Sequence, residues 1–350
     1  MSRAVQLAVV IVISLVCVLL SLVDIAPRDM LHPQVLGAAL GRIPGTLAAI
    51  RTSLALANWG GFVVVCVLTI FGFWVRAVRW RWFVQSDHRL PTASLFSATM
   101  IGFMSNSILP FRLGEFVRPW ALARREKLPN SMLLATIVVE RVIDMLALLA
   151  IFGLALMVHP IAENTPAGRL VQQGARVMIV LSVGLTVFVV IAERNRALPR
   201  SLLGVLPGGA RERAGRLLER FLDGCALFRD PLRMLQVMVL SFAMFGCYAV
   251  ALGITGWSMH LDLPWYSGLI MLVITAIGIM VPAAPGYVGT LNIACTLGLA
   301  LFGVAGGPAG AYGWFYFLSQ WLPITAVGLY YLHREGISLS TLGHVRDEAA

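Results

Sequence analysis

Charge is scarce in this chain: Asp, Glu, Lys and Arg make up 13% of its 350 residues, against roughly 25% in an ordinary soluble domain. Lysine occurs once, as Lys127. The five cysteines, Cys17, Cys66, Cys225, Cys247 and Cys295, form no C-x-x-C pair, and four of them lie in apolar runs. This argues against a disulfide framework or thiolate metal ligands and predicts buried thiols. The six histidines are scattered without an H-x-x-x-H spacing, so zinc is not expected. A Walker A loop is missing, which removes ATP as the evident driver, and so is a nucleophile elbow. No metal and no cofactor are expected.

What the chain has instead is apolar length. Hydrophobic residues reach 59%, with a mean hydropathy of +0.83, which places it in the membrane class. Runs suited to spans lie at Ala4–Val23, Trp59–Val75, Ser131–Val158, Gln172–Ala192, Val237–Met259, Tyr266–Val281, Leu291–Val304 and Ala311–Leu332. Arg3 precedes the first, but its full-bilayer length reads as a retained span and not a cleaved signal. Leu95–Leu109 is only 15 residues and suits a re-entrant segment better than a crossing. The expected fold is an all-α polytopic membrane protein of about eight transmembrane helices, with re-entrant or broken segments near 95–119 and 282–292. It forms a single integral domain over 1–335 with a short tail over 336–350.

The net charge of +10 would suit nucleic acid, but the arginines gather in the loops between apolar runs. That is the signature of the cytoplasmic side, so no nucleic-acid partner is expected. Nine arginines fall between Arg194 and Arg233, while 260–265 and 305–310 hold no Lys or Arg. The expectation is a multi-pass inner-membrane protein with both termini cytoplasmic. Leu217, Leu218, Phe221, Cys225 and Phe228 recur at helical spacing in the 193–233 loop, which reads as an amphipathic helix on the membrane surface.

Four stretches could carry chemistry. In SNSILPFRLGEFVRPW, Asn106 or Ser107 can cap a helix near Pro110, and Arg112, Glu115 and Arg118 recur at three-residue spacing. Gly114 allows close approach of a backbone or ligand, and a helix N-terminus flanked by arginines suits a phosphate. In VVERVIDML, Glu140 and Asp144 share a helix face and Arg141 can reach Asp144. Roughly 13 Å into a span at 1.5 Å per residue, such charges form either an ion-pair lock or a functional cavity. In VPAAPGYVGTLN, Pro282, Pro285, Gly286 and Gly289, followed by Thr290, break the helix at membrane depth. Proline followed by glycine four residues later occurs in both breaks, at Pro110/Gly114 and Pro282/Gly286. Paired interruptions in two halves of a chain point to a transporter site. RAVRWRWF, Arg76–Phe83, reads as an interfacial anchor of arginine and tryptophan.

RAVRWRWF, N-x-x-L-P-F-R-L-G-E-x-x-R, ERVID and P-A-A-P-G-Y-V-G-T, in that order, resemble the transmembrane region of the lysyl-phosphatidylglycerol synthases, over about Arg76–Tyr330. The same region occurs alone in flippase-like membrane proteins. The resemblance implies movement of a lipid between leaflets; the soluble aminoacyl-transferase activity of the full-length synthases is not implied. The expected function is translocation of an anionic phospholipid or lipid-linked molecule and not catalysis. Arg112 and Arg118 would receive the phosphate, with Asn106, Glu115, Glu140, Arg141 and Asp144 organising them. Pro285, Gly286, Tyr287, Gly289 and Thr290 would form the opposite wall. Membrane lipids are the expected partners, with self-association into a homo-oligomer left open. The rivals are a lipid-headgroup transferase with Glu140 or Asp144 as base, and a lipid-binding subunit of a synthesis complex.

Overall fold

The computed structural model describes residues 41, 43–84, 89–109, 112–158, 230–280 and 285–342, with isolated positions over 169–187 and at 215. The apolar run Ala4–Val23, most of the run over 172–192 and nearly all of the 193–233 loop lie outside the described residues, as do Pro110 and Pro282. The described residues are helical, with no strand among them. In chain order the helices are α1 (Ile43–Ala55), α2 (Trp59–Trp80), α3 (Thr92–Ile108), α4 (Gly114–Glu126), α5 (Asn130–Val158), α6 (Pro231–Ser258), α7 (Ser267–Met280), α8 (Thr290–Ala300), α9 (Gly307–Arg334) and α10 (Leu339–Leu342).

Local chemistry sets the ends of these elements. The Asn58 side chain accepts from the Gly60 amide at 3.0 Å and starts α2. Asp230 accepts from the amides of Leu232 and Arg233, and Pro231 fills the first position of α6, where its missing N–H costs nothing. Lys127 closes α4 in the left-handed region at φ 54°.

Two helices, Trp59–Trp80 and Leu232–Ser258, are long and apolar enough to cross a bilayer by length and composition, each with a mean hydropathy of 2.2. They pack antiparallel: the Asn58 amide donates to the Ser258 carbonyl at 2.8 Å, Gly72 abuts Tyr248, and Arg79 meets Ser241 at the other end. α5 has 29 residues but carries Glu140, Arg141 and Asp144 in its interior. α9 has 28 residues and runs parallel to α2, with Gln320 bonding Thr69 at 2.6 Å.

α3 and α4 form a hairpin. Gly114 makes this possible, because a Cβ there would stand 1.9 Å from the Gly102 carbonyl oxygen. The base of the hairpin sits at the arginine-rich end of the bundle, where Arg81 bonds Thr92 and Arg125 pairs with Glu335 at 2.6 Å. The expected re-entrant segment Leu95–Leu109 is the first leg. Its 17 residues span about 26 Å at 1.5 Å per residue, short of the ~30 Å hydrocarbon core.

α7 and α8 form a second hairpin, and here the structure differs from the expectation of two crossings. The legs hold 14 and 11 residues, about 21 and 17 Å. Both bases lie at the end opposite the arginines, where the Tyr266 and Phe302 rings stand 6.4 Å apart. The reason composition misleads is that a buried hairpin leg is as apolar as a crossing.

The order span–hairpin–span therefore occurs twice, α2-α3-α4-α5 and α6-α7-α8-α9, with the two units running in opposite directions. One apolar core surrounds each hairpin: Trp80, Leu95, Ile101, Leu122 and Ile143 around the first, and Met244, Met271, Leu291, Leu299 and Tyr312 around the second. The hairpin tips meet in the middle, where a 3-10 turn at Pro285–Tyr287 lies against Ser107.

Candidate functional site

Five arginines and three carboxylates converge where the hairpin tips meet α2 and α5. The deepest part is a closed ion cluster. Glu140, with no exposed surface, accepts from Arg76 at 2.6 Å and Arg118 at 2.8 Å, with Arg79 at 3.2 Å. Asp144 receives Arg79 at 2.6 Å and Arg76 at 3.3 Å. Arg79 also donates to the Ser241 hydroxyl at 2.7 Å, drawing α6 into the cluster. The Arg118 guanidinium lies 4.0 Å from the centre of the Trp80 ring, whose indole N–H donates to Thr136 at 2.8 Å. These contacts tie α2, α4, α5 and α6 together through charges that would otherwise be costly in an apolar interior.

The cluster opens onto a cavity of about 200 Å³. Arg76 closes its inner edge, and Arg112, Glu115 and Arg141 stand in its mouth. Arg112 lies 3.4 Å from Glu115, and Arg141 lies 4.0 Å from Glu115 and 3.9 Å from Asp144. Their side chains are about one-third exposed. The rest of the lining is largely aromatic and aliphatic, with Phe73, Phe103, Phe245, Leu272, Phe317 and Trp321. Charge and rings are interleaved, since the Arg76 guanidinium lies 5.2 Å from the centre of the Phe103 ring.

The tips themselves are held in an uncommon backbone. Arg112 has φ 53° and Tyr287 φ 61°, in the left-handed region that side chains with a Cβ seldom adopt. The two residues face each other, with the Arg112 guanidinium 5.4 Å from the Tyr287 ring centre. Gly286, φ 71°, sits between the Ser107 carbonyl and Trp321, where an added Cβ would come within 3.3 Å and 3.1 Å of them. Strain of this kind concentrates at functional sites.

The residues picked out from sequence fall into three sets. Arg112, Glu115, Arg141, Asn106, Gly286 and Tyr287 line the cavity together. Asn106 does not sit at a helix start as expected of a cap: it lies inside α3, and its side-chain oxygen accepts from the Gly114 amide eight residues on, at 2.8 Å. Arg118, Glu140 and Asp144 belong to the closed cluster behind the cavity. Pro285, Gly289 and Thr290 shape the second tip: Pro285 begins the 3-10 turn, Gly289 has φ 87°, and the Thr290 hydroxyl turns back to the Tyr287 carbonyl at 3.2 Å.

The interfacial-anchor reading of RAVRWRWF fails for three of its residues. Arg76, Arg79 and Trp80 are buried, and only Trp82 is exposed as an anchor would be. The available signal was spacing: Arg76 and Arg79 lie three apart on α2, Glu140 and Asp144 four apart on α5, so the two pairs match as charged faces.

The family model described as the lysylphosphatidylglycerol synthase TM region matches residues 5–328. The chain belongs to that family. Neither the curated proteins nor the solved structures yield a match.

Proposed function

We propose that this member of the lysylphosphatidylglycerol synthase transmembrane-region family moves an anionic phospholipid, or a lipid-linked anion, across the cytoplasmic membrane. The observation that carries this reading is the cavity: arginines set among apolar rings, and a hairpin tip reaching it from each end of the bundle. An amphipathic cargo needs such a mixed surface. Arg112 and Arg141 take the phosphate, and the aromatic lining takes the apolar part nearest the head group. Because each hairpin stops at the cavity, displacing one tip at a time would open the site to one side only.

The closed state of Glu140 and Asp144 supports transport over headgroup transfer. Each carboxylate is engaged by at least two arginines, which leaves neither as an available base. Reconstituted protein should speed the exchange of a fluorescent anionic phospholipid between vesicle leaflets, followed by chemical quenching from outside. No acceleration for any anionic lipid, with lipid still retained on purification, would replace transport by the binding-subunit reading.

The membrane arrangement follows from the same reading. Counting the apolar runs Ala4–Val23 and Gln172–Ala192 with α2, α5, α6 and α9 gives six crossings and two hairpins, so both termini stay on one side. Arg81, Arg124, Arg125, Lys127, Arg233 and Arg334 mark the cytoplasmic end. In a background without native cysteines, Lys127→Cys should react with an impermeant maleimide only from the cytoplasmic side, and Asp262→Cys only from the outside. The reverse pattern inverts the model.

A further inference from the structure

We infer that the cavity selects a dianionic lipid head group, a phosphomonoester or a diphosphate, over a phosphodiester of single charge. This rests on the anionic-lipid reading above and sharpens it. The argument is a charge count over one connected set of residues. Arg76, Arg79, Arg112, Arg118 and Arg141 contribute five positive charges, and Glu115, Glu140 and Asp144 three negative ones, each side chain being linked to another of the set at 4.0 Å or less. Five minus three leaves a surplus of two.

One charge of the surplus is buried, from Arg76, Arg79 and Arg118 against Glu140 and Asp144; the second stands in the cavity mouth, from Arg112 and Arg141 against Glu115, each about one-third exposed. Arg76, Arg79 and Arg118 are 6%, 0% and 2% exposed. The buried Nε and Nη2 atoms of Arg118, and Nε of Arg76, have no hydrogen-bond partner. Arg118 borders a void of about 10 Å³, room for about one water, together with Asn106, Glu115 and Arg141, which also border the main cavity. Buried guanidinium N–H groups without acceptors are costly, and an acceptor-rich anion in the cavity is placed to meet Arg76 directly and Arg118 only through that void. The N-terminus of α4, at Gly114, adds the positive end of a 13-residue helix beside them.

A phosphodiester carries one negative charge and leaves one positive charge unmatched. A phosphomonoester carries roughly −1.5 to −2 near neutral pH and cancels the surplus. One uncompensated charge at contact distance in a partly desolvated site supports a preference of about tenfold or more. A free anion would meet the same arginines, but the aromatic side chains that line the cavity with them fit a lipid.

The test is the lipid retained by the full chain from mixed micelles holding phosphatidic acid, phosphatidylglycerol and phosphatidylcholine in equal amounts, read by native mass spectrometry. Phosphatidic acid should be enriched over phosphatidylglycerol by about tenfold or more. Arg141→Gln lowers the surplus to one and should bring the two close to parity; Glu115→Gln raises it to three and should widen the gap. Both side chains are about one-third exposed, so neither change threatens the fold. Equal retention of the two anionic lipids, both above phosphatidylcholine, overturns the dianion inference and leaves the anionic-lipid reading standing. No enrichment of either overturns both. A preference that ignores both substitutions shows that charge balance is not its cause and also overturns the inference. Inorganic phosphate at the lipid's concentration should not displace phosphatidic acid; complete displacement would make the site one for a free anion.

Discussion

Glu140→Gln should lower the unfolding temperature more than any other single charge-neutralising change in this protein. The side chain is fully buried and holds three guanidinium groups from two helices, Arg76 and Arg79 of α2 and Arg118 of α4. Neutralising it without changing its size leaves those three cations against Asp144 alone. Removing one partner of a buried ion pair costs about 3–5 kcal/mol, because the remaining charges stay desolvated and unpaired. Arg118 is the most affected by this loss, since among the described residues its only ion-pair contact within 4.0 Å is Glu140. The first hairpin should therefore loosen from α5 before the rest of the bundle melts. Glu115→Gln supplies the comparison: its carboxylate is about one-third exposed and its partners stand at 3.4 and 4.0 Å, so about 1 kcal/mol or less is expected. Thermal unfolding in detergent separates the two. Equal shifts would mean that the cluster is hydrated and does not hold the helices together.

How much of this was legible before the fold was known depends on the range of the interactions. The first hairpin was, because Leu95–Leu109 is too short to cross and is followed at once by arginines. Arg112, Glu115 and Asn106 lie close together in sequence, and the fold keeps them on one cavity. The second hairpin was not legible, since the apolar runs on either side of Pro282 could be two crossings or two legs, and nothing in their composition says which. Arg76 and Arg79 were missed because a tryptophan-rich helix end with arginines fits the membrane interface equally well. What removes them from the interface is Glu140, 64 residues from Arg76 along the chain. A pairing over that distance leaves no periodic trace in one sequence. The matched spacing of two arginines and two carboxylates was visible, but the fold is needed to bring the two faces together.

Arg112→Ala should slow anionic-lipid movement by about ten- to hundredfold, the equivalent of one charge-assisted contact of about 1.5–3 kcal/mol. The residue stands in the cavity mouth on the first hairpin, pairs with Glu115 and lies over Tyr287 of the second. It is thus placed both to hold a phosphate and to join the two tips. A phosphate that takes the guanidinium competes with both contacts, so cargo binding weakens the bridge between the hairpins. Lysine keeps the charge but not the planar fork, nor the stacking on the tyrosine ring, and should restore transport only in part. Arg124→Ala is the control: that side chain lies 5.6 Å from the Trp120 ring centre at the arginine-rich end, and it does not border the cavity. Both arginines are partly solvated, so both variants should unfold at nearly the wild-type temperature, and a difference in leaflet exchange would then report the site. Tyr287→Phe separates the two roles of Arg112. The ring that the guanidinium covers is kept, so transport should stay near wild type, whereas Tyr287→Leu removes the ring and should leave the tips unbridged. Equal rates for Arg112→Ala and Arg124→Ala at matched protein levels would take Arg112 out of the pathway.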